Sequence, residues 1–519
     1  DEGVYVTISR DNKSELFMWD FKMSNPTAFT FRGRDVGVLV GAEIRKEEMT
    51  DVRDPRINGT IQYTAWNGKT FPYISDIANS SPSPNTNGDR TVTSLFAEMQ
   101  IPLGENADAQ LAIRSEDFDD IGNTVVGKLA LGWQIRDAFK FRASTSTSFR
   151  APNLVTVNEG FIVRSNSLSD PLIQSAYGGE VDYSYSIQRA AQGNADLESE
   201  EATNYSVGFV IEPVANMIIT IDRWSIKTEN TVGLFGEINH MLLDTLIRKE
   251  GGVSECTGNP LVIRSPFSVE DDDDGNPVAW DASLCPAGRA QTVMDTYINL
   301  DDRTMEGTDI AIQYSIDTEV GKFTMKFVNV SYDEFYQEAS GPTKLLIAAA
   351  DGGVLAGLSA PRGYEDLLGV NGRPHDKFTM NLAWKYGPWE VFLSGTKVGR
   401  FLETGVTDND YYGSSTSRTY RCAIASMGTD GATFNGNISG EAARVYAAPG
   451  CGDYWPIGSM TTFNLTLGYK FKDGTRIRGQ MRNVTDRRAP LADEYTWGAW
   501  SDIHSDYGRS FALEIYKKF

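Results

Sequence analysis

In the stretch TTFNLTLGYKFKDG, residues 461–474, Phe463, Leu465, Leu467, Tyr469 and Phe471 alternate with Asn464, Thr466, Gly468, Lys470 and Lys472. A period of two places one set on each face of an extended strand, so the segment is amphipathic β and not helix. In VGVLVGAEIRKE, Val36, Val38, Val40, Ala42 and Ile44 oppose Gly37, Gly41, Glu43 and Arg45. In KFTMNLAWKYG, Phe378, Met380, Leu382, Trp384 and Tyr386 oppose Thr379, Asn381 and Lys385. Such runs last about 9 to 14 residues, where soluble strands usually have about 5 or 6 and a tilted membrane-crossing strand needs about 9 to 11. Aromatic residues close the apolar faces, as at Trp384 and Tyr386 or Tyr469 and Phe471, the place of an interfacial girdle.

The connections alternate in length. Short links fall at NPTAFTFRGR, PLGENAD, QIRDAF, EPVANM, DTEVGK, YGPWE and KDGT, and long ones at 50–89, 150–199, 229–292, 336–373 and 399–459. Short turns on one side and long loops on the other describe an all-β, transmembrane antiparallel β-barrel. Following the chain up and down gives about 15 strands, near 14–24, 35–48, 90–103, 107–118, 123–136, 138–150, 200–213, 216–229, 293–317, 320–335, 374–387, 388–399, 460–472, 475–485 and 504–519. With the C-terminus on the short-turn side, the first strand runs inward from the long-loop side, so further strands are expected upstream. The opening DEGVYVTISRDN has neither a basic nor an apolar leader segment, and a mature or cleaved start is expected.

Bulk properties remove other classes. No run approaches the roughly 18 apolar residues that cross a bilayer as a helix. A net charge of -22 argues against a nucleic-acid partner, which needs clustered Lys and Arg. Cys256 and Cys285, and Cys422 and Cys451, form two pairs inside long polar stretches; without C-x-x-C spacing they read as two loop disulfides of an oxidising compartment.

Specific strings go further. STSFRAPNLVTVNEG (146–160), LESEEATNYSVGFVIEP (197–213), IITIDRWSIKTENTV (218–232), RNVTDRRAP (482–490) and a terminal aromatic strand resemble the C-terminal barrel region of TonB-dependent receptors, as does FRGRDVGVLVGAEIRKEE before DVRDP. The resemblance implies a 22-stranded barrel with a plug in its lumen, of which this chain holds about 15 strands; no plug and no TonB box are visible. It implies as partners an N-terminal plug and strand fragment, TonB-ExbB-ExbD acting through the plug, outer-membrane lipid and lipopolysaccharide, and in some systems a surface lipoprotein. It also makes Phe519 the assembly signal, on a last strand where Phe511, Leu513 and Ile515 face lipid, Ser510, Ala512 and Glu514 face the lumen, and Lys517 stands at the periplasmic rim.

Candidate site residues lie in the loops. His240, His375 and His504 are far apart in sequence and stand in no catalytic motif. In VEDDDDGNPVAWD, Glu270, Asp272, Asp274, Gly275 and Asp281 fall at offsets 1, 3, 5, 6 and 12 of a calcium loop. A solvated acidic turn closed by D-G-N-P is the competing reading, and Pro277 and the absence of flanking helices favour it. TVGLFGEINHMLLDTLIRKEGG, 231–252, predicts a short helix through Leu234, Ile238, Leu242 and Ile247. Tyr411, Tyr412, Tyr454, Trp455, Trp497 and Trp500 are candidate substrate contacts, since Tyr and Trp offer rigid surface to sugar rings and flat ligands.

The resemblance implies a non-enzymatic protein of the Gram-negative outer membrane, without resident cofactor unless the acidic loop holds calcium. The expected function is TonB-dependent uptake of an oligosaccharide, peptide or metal chelate. A passive porin-like channel and a soluble all-β carbohydrate-binding protein or enzyme are the alternatives; the last requires the apolar strand faces to form a core.

Overall fold

The computed structural model describes residues 6–66, 68, 70–77, 80–339, 341–359, 361, 365–369, 372–403, 455–490 and 503–518. Fifteen strands hydrogen-bond in chain order into one antiparallel sheet. They are β1 (Arg10–Phe31), β2 (Arg34–Arg53), β3 (Thr86–Pro102), β4 (Ala107–Phe118), β5 (Gly122–Arg136), β6 (Phe139–Arg150), β7 (Glu200–Ile211), β8 (Met217–Glu229), β9 (Arg303–Thr318), β10 (Gly321–Gln337), β11 (Asp376–Tyr386), β12 (Trp389–Val398), β13 (Met460–Lys470), β14 (Arg476–Arg482) and β15 (Ser510–Tyr516). Each expected strand is present. The expected strand 293–317 is shortened, because residues before Arg303 pair with loop segments instead.

Register shows how the sheet is inclined. A line of paired residues runs from Gly37 through Gln100, Gln110, Ala130, Ser144, Ser206, Trp224 and Gly307 to Tyr332. Gly37 stands three residues from the short-turn end of β2, and Tyr332 eleven from that of β10. The line therefore climbs eight residues, roughly 26 Å, across eight strand spacings, roughly 38 Å. That is a strand tilt of about 35°, the inclination of outer-membrane barrels.

The outward face is apolar in rows. Met217, Tyr314, Met325, Leu382, Leu393, Leu465, Met481 and Phe511 are successive partners from β8 to β15. These faces do not pack on one another: Leu95 is 63% exposed, Trp133 49% and Phe17 65%. The soluble alternative is thereby corrected, since its core would have to be made of these side chains. At the short-turn end Trp384 stacks on Tyr386, and Trp389 meets Tyr469 edge to face. The sheet is not closed; among the described residues β1 pairs only with β2, and β15 only with β14.

The buried core lies in the loops. Ile162–Ser169, Ser184–Ala191, Val262–Arg264 and Ala290–Met294 form a four-stranded sheet in which Gln188–Ala190 run parallel to Thr292–Met294. The helix Glu237–Glu255 packs on it through Ile238, Met241, Leu242 and Leu246. Leu346 of the helix Gly341–Ala350 and Leu355 complete the cluster. Three long loops thus share one core and form a folded cap. The expected helix 231–252 begins later, at Glu237, because Val232–Leu234 pair with Tyr297–Asn299.

A charge on the lipid face should cost far more than a change on the lumen face. We expect Leu393→Arg to lower barrel stability by about 2–4 kcal/mol in lipid vesicles, whereas Asn381→Ala on the inward face stays within about 0.5 kcal/mol, both read from urea-unfolding midpoints.

Candidate functional site

The inward face of β2 to β4 is a charged ladder. Arg45 Nε donates to Glu47 at 2.7 Å, and its Nη1 donates to Glu43 at 3.3 Å. Arg114 bonds Glu43 and Ser94 through Nη2, at 3.3 and 3.0 Å, and Glu116 through Nε. Arg90, 3% exposed, is held by both carboxylate oxygens of Asp120 at 2.6–2.9 Å.

Where this ladder reaches the long-loop side it borders a cavity of about 420 Å³, lined by Arg45, Glu47, Arg90, Glu116, Phe118, Phe149, Ala151 and Asn153. The Phe118 and Phe149 rings meet edge to face at 5.7 Å, and the Arg90 guanidinium lies 5.6 Å from the Phe118 centroid. Its wall carries two cations and two carboxylates beside two aromatic rings. Such a lining holds a polar ligand of little net charge, its flat parts against the rings. The chain that borders it enters the cap: Asn153 caps the helix Leu154–Asn158 by accepting from the Thr156 amide at 2.8 Å. That helix packs on the start of β3.

The cap above is pinned by one buried ion network. Arg264 Nη1 and Nη2 donate to Asp170 at 2.6 and 3.0 Å, and its Nε donates to Asp244 at 2.7 Å. Asp170 also accepts from the Tyr185 hydroxyl and from the Leu172 and Ala290 amides. Both carboxylates are fully buried. Burial acts to raise the Asp170 carboxyl, but Arg264 and the Tyr185 hydroxyl outweigh it and hold the group below the usual carboxylate range. Burial likewise opposes Asp295, which His240, the Gly236 amide and Arg189 nevertheless hold low. The network eluded the sequence reading; its one local signal was Asp170-Pro171, a helix cap followed by proline at the first helical position.

Cys256 and Cys285 are bonded, as expected; Cys422 and Cys451 lie outside the described residues. The expected calcium ligands are not brought together. Glu270 is engaged by Arg289 at 3.0–3.1 Å, Asp272 accepts from the Asp274 and Asn276 amides of its own turn, and Asp281 accepts from Ser283. Asp274 is at the exposed tip, and among the described residues no group of three or more His, Cys, Asp or Glu is gathered for a metal. Of the aromatic candidates, Trp455 opens the strand Trp455–Ile457, paired with Phe401–Glu403. Tyr411, Tyr412, Tyr454, Trp497 and Trp500 lie outside the described residues, as does Phe519. His240 is in the cap helix, His375 precedes β11, and His504 is buried against the Phe401 ring.

The sequence model of the family TonB dependent receptor-like, beta-barrel matches residues 5–484. The chain belongs to that family. Its members are transporters rather than enzymes, and they lie in the outer membrane of Gram-negative bacteria. The siderophore receptor PirA from Acinetobacter baumannii is similar in fold, with a TM-score of 0.56 and 14% identity over 97% of this chain and 55% of that one. A ferric enterobactin receptor mutant from Pseudomonas aeruginosa (PfeA), in complex with enterobactin, has a TM-score of 0.55 and 12% identity over 97% and 54%. This receptor chain spans about half the length of those structures. No curated protein matches it in sequence.

Carboxyls held low stabilise the cap above their unfolded value of about 4, and that contribution is lost as pH falls through the lower folded value. Protease resistance of the cap should therefore be flat from pH 7 to about 5 and fall below about pH 4. Arg264→Met, which strands two buried carboxylates, should destabilise the cap by about 3–5 kcal/mol, measured as lost amide-exchange protection in 237–255 with the barrel strands unchanged.

Proposed function

We propose that this receptor chain forms the wall and much of the outer binding surface of a TonB-dependent importer of the Gram-negative outer membrane. The observation that carries this reading is the pocket of Arg45, Arg90, Phe118 and Phe149, which stands at the outer mouth of a polar inner wall, on the chain that leads into the folded cap. A free strand edge cannot persist in lipid, because each unpaired backbone group costs several kcal/mol. The edges of β1 and β15 therefore call for further strands, and the closed barrel would hold the plug through which TonB acts.

The cargo is a nutrient bound at this mouth before energised release. The cations of the pocket are matched by Glu47, Glu116 and Asp120, and the chain as a whole is acidic. That balance supports an oligosaccharide or a peptide over a multiply anionic chelate. The names of similar receptors, at 12–14% identity, carry fold and not cargo.

The test is growth of cells expressing the intact receptor, with oligosaccharides or peptides as carbon source or ferric chelates as iron source. Deleting TonB should abolish receptor-dependent growth, and Arg90→Ala with Phe118→Ala should cut uptake about tenfold or more at unchanged receptor level, a loss of about 1.4 kcal/mol or more in binding. Receptor-dependent growth that survives TonB deletion would establish the passive channel instead.

A further inference from the structure

A second group of inward-facing side chains stands toward the long-loop end of β8 to β10, apart from the pocket on β2 to β4. Trp224, Gly307 and Tyr332 are cross-strand partners on the face opposite the outward row of Met217, Tyr314 and Met325. A small residue is needed in the middle, because a Cβ on Gly307 would come within 2.5 Å of the Trp224 ring, which lies across it. Trp224 meets Tyr332 edge to face at 5.4 Å, and Tyr332 stacks with Phe335 at 6.5 Å. The indole Nε1 donates to Asp309 at 3.1 Å, which fixes the ring. The three rings are half-buried and form a continuous aromatic row on the lumen wall.

Guanidiniums stand at the upper end of this row. Arg373 lies 5.5 Å from the Phe335 centroid. Phe335 pairs with Met305, two residues along β9 from Arg303, so Arg303 and Phe335 share the inward face. Arg303 Nε donates to the buried Gln337 at 2.9 Å. Arg373 and Arg150 are both within electrostatic reach of Arg303. Glu200 is the carboxylate that acts on Arg303, and it is already engaged: Arg150 holds both its oxygens at 2.6 Å, and the Val232 amide donates to it at 2.7 Å. Among the described residues neither Arg303 nor Arg373 has an ion-pair partner. In a chain of net charge -22, two such guanidiniums beside an aromatic row are not a by-product of composition.

We propose that this wall binds an acidic saccharide, with a sugar ring against Trp224 and Tyr332 and its carboxylate between Arg303 and Arg373. The proposal rests on the reading of the chain as an importer and narrows its cargo. Aromatic faces take the apolar face of a sugar ring, and the guanidinium fork matches a carboxylate. A neutral sugar would leave the cations unused, and a small inorganic anion would leave the rings unused. A peptide docking in extended form needs free backbone groups, whereas those of β8 to β10 are spent on pairing with one another. The cations of the pocket on β2 to β4 are matched by carboxylates, so the charge of the cargo is read at Arg303 and Arg373.

Calorimetric titration of the intact receptor in detergent tests the assignment, with short oligogalacturonate, oligoalginate and hyaluronan fragments as probes, each beside the same oligomer with its carboxyls reduced to alcohols. A charge-assisted contact is worth about tenfold, so two guanidiniums should make at least one acidic oligomer bind about a hundredfold tighter than its reduced form. R303Q with R373Q should bring the two forms within about threefold; if that receptor fails to insert, R373Q alone should lower the preference about tenfold. W224A should weaken the acidic and reduced forms alike, about fivefold. Equal binding of acidic and reduced oligomers overturns the proposal, as does a preference that survives the arginine substitutions. Tighter binding of peptides through their C-terminal carboxylates overturns it too. TonB-dependent growth on a neutral sugar with no acidic preference would sink this assignment alone, whereas TonB-independent growth would sink the importer reading and leave the binding result standing.

Discussion

In hydrocarbon every backbone N–H and C=O must find its partner within the protein, and the rest of this structure depends on that constraint. It makes neighbouring strands pair along their length in chain order, from β1 to β15. Connections on one side shrink to short turns, which fixes the up-and-down topology. Alternation then follows from register: with the ladder set, each strand offers one face to lipid and one to the lumen. The inclination of about 35° is the outcome of successive pairings that advance about one residue per strand. The same constraint gives meaning to the two open edges, because a pleated wall of this kind is complete only when closed.

Loops as long as those after β6, β8 and β10 face the opposite difficulty. In water they have no lipid to bury an apolar face, and ordering them costs entropy for each residue fixed. The solution is a shared core in which helix Glu237–Glu255 joins segments from all three loops. Arg264 then ties the first loop, through Asp170, to the second, through Asp244. One core and one ion network thus hold the three loops together, and the chain that lines the pocket at Ala151 and Asn153 runs on into them.

The barrel was legible because its signal is local. Phe463, Leu465 and Leu467 declare a two-faced strand without knowledge of any neighbour, and turn lengths supply the direction. Where local alternation is shared by a soluble sheet, the signal misleads: 293–302 alternate but belong largely to the cap. The cap helix was visible, yet its start was displaced by six residues because the pairing of Val232–Leu234 is non-local. The Asp170–Arg264 contact joins residues 94 apart, and no local pattern announces it. Arg45, Arg90 and Glu116 are polar residues at inward positions; what gathers them is the register of three strands. The calcium-like spacing failed to gather its ligands for a related reason, since Arg289 draws Glu270 away from the turn that Asp272 caps.

One face of each strand meets lipid and the other meets water. Spin labels placed singly from 462 to 469 along β13 in the membrane-inserted receptor measure this directly, through collisions with oxygen and with a water-soluble nickel chelate. Period-two alternation is expected, with 463, 465, 467 and 469 accessible to oxygen and 462, 464, 466 and 468 to the chelate. Uniform access of the chelate to all eight positions would contradict it.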